Sequence, residues 1–318
     1  MLIIFTVSGC GVKGVRKDTS SNEPASVKLW VTKDFGNKTI YENEVDIKPN
    51  QTVMDLLKQN LDIETSYGGG FVNSINGLKS GYTGVFGKQR RKMDWFYYVN
   101  GIMSSKGALD YMPQAGDIIW WDYHPWGNGL FKPAVTGAFP QPFLSGYNGK
   151  NSGTLIMYVK GFEKEAAKIK KAFEKNGIKN LEIQEINDEQ ITNRDRITVV
   201  LGLCKDLINL SSIKKMMDNR DRIGVFLEFD KNKISLLDPE GEAVRTFDKK
   251  AGAIFATATG LGDKNPLWII TGIDNQGLDS AIDIIADNNK AIKQSAGVVI
   301  TQTEVFKTPY YKEQVVEN

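Results

Sequence analysis

Residues Asp94 to Trp126 read DWFYYVNGIMSSKGALDYMPQAGDIIWWDYHPW. Four of the chain's six tryptophans fall in this stretch, beside Phe96, Tyr97, Tyr98, Tyr111 and Tyr123, a density that needs a cause. Successive side chains of a strand point to opposite faces, so Trp95, Tyr97 and Val99 share one face and Phe96, Tyr98 and Asn100 share the other. Both faces are aromatic. One can close a core; the second must be covered by a domain, a membrane or a flat ligand, because so much apolar surface is unfavourable in water. Asn100-Gly101 signals a turn after the strand. Pro113-Gln114-Ala115-Gly116-Asp117 signals another, delivering a strand from Ile118 to Tyr123 in which Ile118 and Trp120 oppose Ile119, Trp121 and Tyr123.

Working upstream, Val27, Leu29 and Val31 alternate with Lys28, Trp30 and Thr32, which predicts a strand, and a second follows the Gly36-Asn37 turn from Thr39 to Ile47. Thr52 with Asp55 approximates a capping box, and Val53, Leu56, Leu57 and Leu61 recur at helical spacing. Two strands, a helix and further strands make an α+β arrangement of β-grasp-like order. Gly68-Gly69-Gly70 lacks the lysine and spacing of a phosphate-binding loop and reads as a bend or bulge where something approaches the backbone.

Downstream of Trp126 the chain is rich in Gly and Pro but carries Phe131, Phe139, Phe143 and Tyr147, aromatics that a free linker does not need. They are expected along the first domain, between domains, or in part on a ligand surface. From Thr154 strands and helices alternate to Thr301, which predicts a mainly parallel α/β layered domain, separate from the first. Gly202 to Asp206 and Gly272 to Gly277 follow strands, where such folds place ligand loops, but neither matches a nucleotide motif. Cys204 reads as a small core residue. No nucleophile motif, catalytic arrangement around the single histidine His124, or trustworthy metal-ligand spacing appears, so the expectation is a protein that is not an enzyme.

The whole chain of 318 residues is 41% hydrophobic and 25% charged, ample for two globular cores. Its formal charge of +2 supplies no field for nucleic acid, and none is expected as a partner. No apolar run reaches the roughly 20 residues of a membrane span. At the start, the apolar Met1 to Val7 runs into Val7-Ser8-Gly9-Cys10, which resembles a bacterial lipoprotein cleavage box. That resemblance implies a signal peptide, lipid attached to Cys10 and a membrane-anchored, extracytoplasmic location; a buried N-terminal strand ending in cysteine is the other reading. Gly11 to Ser26 reads as a tether.

Trp95, Gly107, Asp110, Tyr111, Pro113, Asp117 and Trp126, with the upstream run Gly70-Phe71-Val72-Asn73-Ser74-Ile75-Asn76-Gly77-Leu78, resemble the C-terminal β domain of the transcobalamin and intrinsic-factor family, over roughly Val27 to Trp126. The division that follows is signal and tether (1–25), transcobalamin-like β-grasp domain (26–127), Gly/Pro/aromatic linker (128–153) and α/β domain (154–318). The resemblance implies a cell-surface lipoprotein that binds cobalamin or a related corrinoid as ligand and delivers it to a membrane importer. The contacts it suggests are Tyr67, Gly69, Phe71, Trp95, Tyr97, Tyr98 and Ile102, with Trp126 at the edge. His124 reads either as a packing residue or as a cobalt ligand, the former being commoner at a strand end. In the family a large helical barrel forms the other wall of the site, and no helical repeat appears here. The alternative is a cell-wall module that binds a glycan, peptide or protein through its aromatic face.

Overall fold

The structure, a computed structural model, describes residues 25–83, 90–126 and 132–311. Cys10 and most of the expected signal and tether lie outside these residues. The chain builds an α+β molecule of two packed units.

The first unit comprises β1 (Ser26–Lys33), β2 (Lys38–Asp46), α1 (Val53–Asn60), β3 (Ile63–Ser66), β4 (Phe71–Ile75), β5 (Leu78–Lys79), β6 (Gly81–Thr83), β7 (Arg91–Val99), β8 (Ile102–Met103) and β9 (Ile118–Pro125). Its main sheet runs β2-β1-β9-β7-β6, with β8 paired to β7, and β3-β4-β5 form a small second sheet. The first and last long strands are parallel neighbours, Lys28 opposite Ile118 through Lys33 opposite Tyr123, and the others pair antiparallel. This is the β-grasp order. Helix α1 starts at the expected capping box: Thr52 Oγ1 accepts from Asp55 N, and Asp55 Oδ2 accepts from Thr52 N. It buries Val53, Met54, Leu56 and Leu57 against one face of the sheet. The turn after β7 has Asn100 and Gly101 at φ 54° and 79°. Asn100 is buried, donates through Nδ2 to Asp117 Oδ1 and Gly146 O, and accepts from Ile118 N. It therefore ties the β7–β8 turn to the turn that launches β9.

The second unit comprises β10 (Thr154–Tyr158), α2 (Glu163–Lys175), β11 (Leu181–Glu185), α3 (Asp188–Thr192), β12 (Ile197–Leu203), α4 (Cys204–Leu207), α5 (Ser211–Asp218), β13 (Leu227–Phe229), β14 (Ile234–Leu237), β15 (Ala243–Phe247), β16 (Gly252–Thr257), β17 (Leu267–Gly272), α6 (Asn275–Asp287), β18 (Gly297–Ile300) and β19 (Val305–Thr308). Its seven-stranded sheet has the order β11-β10-β12-β17-β16-β18-β19 and is layered, with α2 and α6 over one face. The expected mainly parallel character holds for only half of it. The β10, β11, β12 and β17 pairings are parallel, whereas β16 pairs antiparallel with β17 and β18, and β18 with β19. A strand buried on both faces reads as the same apolar run in either direction, so periodicity carried no signal for its sense. Cys204 is buried, and its thiol, pushed up to about 12 by desolvation, is a packing group.

The stretch between the units is a packed strap. Phe139 and Phe143 enter the second unit's core beside Phe173 and Trp268. Tyr147 joins the first unit's core and stacks at a tilt on Tyr111. Phe131 lies outside the described residues. Val135 N donates to Gly101 O, and Gly137 exchanges bonds with Ser295 O and Gln294 N, so the strap hydrogen-bonds to both units.

Candidate functional site

The alternation read in the aromatic strands is realised. Met93, Trp95, Val99, Ile119, Trp121 and Tyr123 face α1 and share its core. Trp30, Phe96, Tyr98, Ile118 and Trp120 face the other way. That second face is covered by the chain itself: Val135 and Ala138 of the strap, and Phe226, Leu237 and Ala296 of the second unit, close over it. Of the covers left open for this face, the structure has the domain, and a corrin ring, which the expected contact Tyr98 would have placed here, has no room.

One turn organises the contact. Asp34, Phe35 and Gly36 all adopt positive φ, at 60°, 57° and 81°. Asp122, buried at the middle of β9, accepts from Phe35 N at 2.9 Å and Gly36 N at 2.8 Å, so its carboxylate sits in the concave backbone that successive left-handed residues create. Thr32 Oγ1 and His124 Nδ1 also bond Asp122, the latter at 2.7 Å. The His124 ring is sandwiched between Phe35 and Phe96, each at 4.1 Å, with 2% of its surface exposed. His124 is therefore a packing residue here, and its imidazole has no open side from which to reach cobalt. A Cβ on Gly36 would sit 1.9 Å from Gln294 O, so the turn and the second unit meet with no space for a side chain.

The expected contact residues separate into groups. Tyr98 and Ile102 are 2% and 0% exposed and belong to the interior; burial also pushes the Tyr98 hydroxyl far above its usual range. Neither is available at the surface, which corrects their assignment. Trp95 is buried over α1 in the β-grasp core and donates Nε1 to Leu78 O, so its assignment as a contact is corrected as well. Tyr97 is half-buried, stacked 4.9 Å from Trp121, with its hydroxyl donated to Lys106 O. Trp126 is exposed but stands at the far end of β7: its backbone N donates to Lys92 O, its indole to Asp94, and its ring packs 5.3 Å from Phe96. It borders the covered face.

What remains is the tip between β3 and β4. Tyr67 is 90% exposed and has φ 51°, a left-handed conformation uncommon for a bulky residue. Phe71 is exposed beside it, with ring centroids 6.4 Å apart and nearly perpendicular. Gly68 and Gly69 also have positive φ, at 68° and 93°. Nothing lies within 4 Å of a Cβ built on Gly68, so glycine serves conformation here and the backbone is left open to the outside. Over Gly69 the nearest atoms are Leu109 Cδ1 at 3.8 Å and Lys58 Nζ at 4.0 Å. Leu109 and Met112 are both exposed, and neither was singled out from sequence. The placement of Leu109 has a local cause: Val53 N donates to Tyr111 O and Met54 N to Ala108 O, so this loop caps α1, buries Ala108 and Tyr111, and turns the intervening Leu109 outward.

The tip is thus an apolar surface of Tyr67, Phe71 and Leu109, with accessible glycine backbone and an ammonium at its edge. It can cover a flat apolar ligand and hydrogen-bond polar groups at that ligand's rim. A cavity of about 560 Å³ lies elsewhere, between α5 and the β13–β15 sheet, and touches none of the expected contacts. Among sequence families, the one described as "Domain of unknown function (DUF4430)" matches residues 50–125, about a quarter of the chain, and this span holds both the tip and the aromatic strands. No curated protein matches the chain.

Proposed function

We propose that this chain is a lipid-anchored cell-surface protein that binds cobalamin or a related corrinoid and delivers it, chemically unchanged, to a membrane importer. The matched family is found in transcobalamin-like bacterial proteins, which supports the reading. The observation that carries it is the Tyr67–Phe71–Leu109 surface, held out on a backbone with three consecutive left-handed residues. A corrin is flat and apolar at its centre and bears amide arms at its rim. Tyr67 and Phe71 would cover the ring, while backbone groups at Gly68 to Gly70 would orient the arms. In this reading Cys10 carries the anchor. The other wall of the site comes from the importer, so affinity for the isolated chain is modest.

Gel filtration of the purified chain with cyanocobalamin tests the reading. Co-elution that is lost on exchanging both Tyr67 and Phe71 for alanine is the expected result. No co-elution at high micromolar ligand overturns it for the isolated protein. The openness of the tip favours one second reading, a cell-wall module for a glycan, peptide or protein. A glycan array with signal beside a silent corrinoid titration would select that reading.

A further inference from the structure

The second unit holds a cleft of about 320 Å³ between α3, α5 and the ends of β16 and β17 that the proposed function does not use. Its walls are largely apolar, formed by Ile191, Met216, Ile223, Ala258 and Leu267. Three polar groups on it are incompletely paired. Thr257, at the end of β16, is 5% exposed, and its hydroxyl has no hydrogen-bond partner. Leaving a buried hydroxyl unpartnered is unfavourable, so it marks either a strain or a missing partner.

Arg194, whose side chain is 8% exposed, donates Nε to Asn265 O and Nη1 to Ile191 O. Its Nη2 stands 3.8 Å from Asp263, too far for a hydrogen bond, and Asp263 is already engaged by Thr259 and Asn265. The guanidinium therefore keeps unspent N–H donors in a fixed plane. Lys215 is exposed on the same cleft, and its ammonium forms no ion pair among the described residues. Arg194 and Lys215 against Asp263 leave one positive charge in excess.

We infer that this cleft binds a small monocarboxylate with an apolar tail. The carboxylate accepts from Thr257 Oγ1 and from Arg194, the tail lies along Ile191, Met216, Ile223 and Leu267, and Lys215 draws the anion to the mouth. An apolar wall alone would take any hydrocarbon; the unspent donors select the anion. The volume is at the small end of the roughly 300–1,000 Å³ range of ligand sites, which suits a short chain.

The test uses the full chain with labelled Met and Ile methyl groups, titrated with sodium octanoate and, separately, with 1-octanol. Octanoate is expected to shift the Met216, Ile191 and Ile223 methyl resonances saturably, and 1-octanol to bind about tenfold more weakly, since charge-assisted bonds are the stronger ones. Thr257→Val, which keeps the shape and removes the hydroxyl, is expected to raise the thermal midpoint of the free protein while weakening octanoate about tenfold. Lys215→Ala is expected to weaken octanoate a few-fold and to reduce its salt dependence. The inference is overturned if octanol binds as tightly as octanoate, if the shifts do not saturate, or if Thr257→Val leaves octanoate affinity unchanged.

Discussion

The two faces of the β7–β9 ribbon are built from the same kinds of residue and meet opposite fates. On one, Trp95, Trp121 and Tyr123 lie over α1 inside the β-grasp core. On the other, Phe96, Tyr98 and Trp120 lie against Phe226, Leu237 and Ala296 of the second unit. Aromatic richness therefore does not distinguish a ligand platform from an internal joint. The difference lies in what the neighbouring backbone leaves open. Gly36 has Gln294 O where a side chain would go, whereas Gly68 has nothing.

The largest way to break this comparison is to remove a joint residue. Trp120 is 1% exposed and donates Nε1 to Thr32 Oγ1 at 2.6 Å, so Trp120→Ala should destabilise the protein by about 3–5 kcal/mol in chemical denaturation. Loss below about 1 kcal/mol would mean that the face is not a core. Next, Gly36→Ala should cost about 2–3 kcal/mol, because positive φ and a backbone oxygen both oppose a Cβ. The matching Gly68→Ala meets only the φ penalty and should cost about 1 kcal/mol. Equal costs at the two glycines would erase the distinction.

A pH profile sharpens the joint further. Lys132 is buried beside Phe35, Trp120, Asp122 and His124, its ammonium donates to Gly224 O, and desolvation holds its pKa down at about 7. With the folded value below the unfolded one near 10.4, the unfolded chain binds the extra proton between these limits. Stability should therefore rise from about pH 7 towards pH 10, by at most about 1.4 kcal/mol per pH unit, and be flat from this source below pH 7. From about pH 9 the buried Cys204 thiol, and above pH 10 the buried tyrosines, all pushed up, oppose the trend. Lys132→Met should remove most of the rise, leaving the smaller share of Lys307, whose ammonium is also held down by burial, read by denaturation at pH 6, 7.5 and 8.5. The smallest effect belongs to the tip: Tyr67→Ala should change stability by less than about 0.5 kcal/mol, because the ring is 90% exposed and touches only the already exposed Phe71 among the ring contacts of the described residues.

Much of the fold was legible because its signals are local. Alternation placed the side chains of residues 95–99, 118–121 and 123 on their faces, Thr52 and Asp55 marked the helix start, and Asn100-Gly101 marked the hairpin. The identity of the cover was not legible. Phe226, Leu237 and Ala296 lie a hundred residues or more from Trp120, and no local pattern states which apolar side chain will meet another across the fold. The same limit hid Leu109. An apolar residue in a loop looks like a core residue until the bonds from Val53 and Met54 to Tyr111 and Ala108 show which side chains must turn out. Tyr98 and Ile102 failed as contacts for the converse reason: their types suit a ligand surface and an interior equally well.

In the proposed function the tip, and not the ribbon, is the binding surface. Calorimetric titration of cyanocobalamin into the wild-type chain and into a Tyr67→Ala/Phe71→Ala variant of unchanged thermal midpoint tests it most directly. Saturable heat is expected for the wild type and none for the variant. Equal heats in the two proteins, or no heat from the wild type at high micromolar ligand, would contradict it.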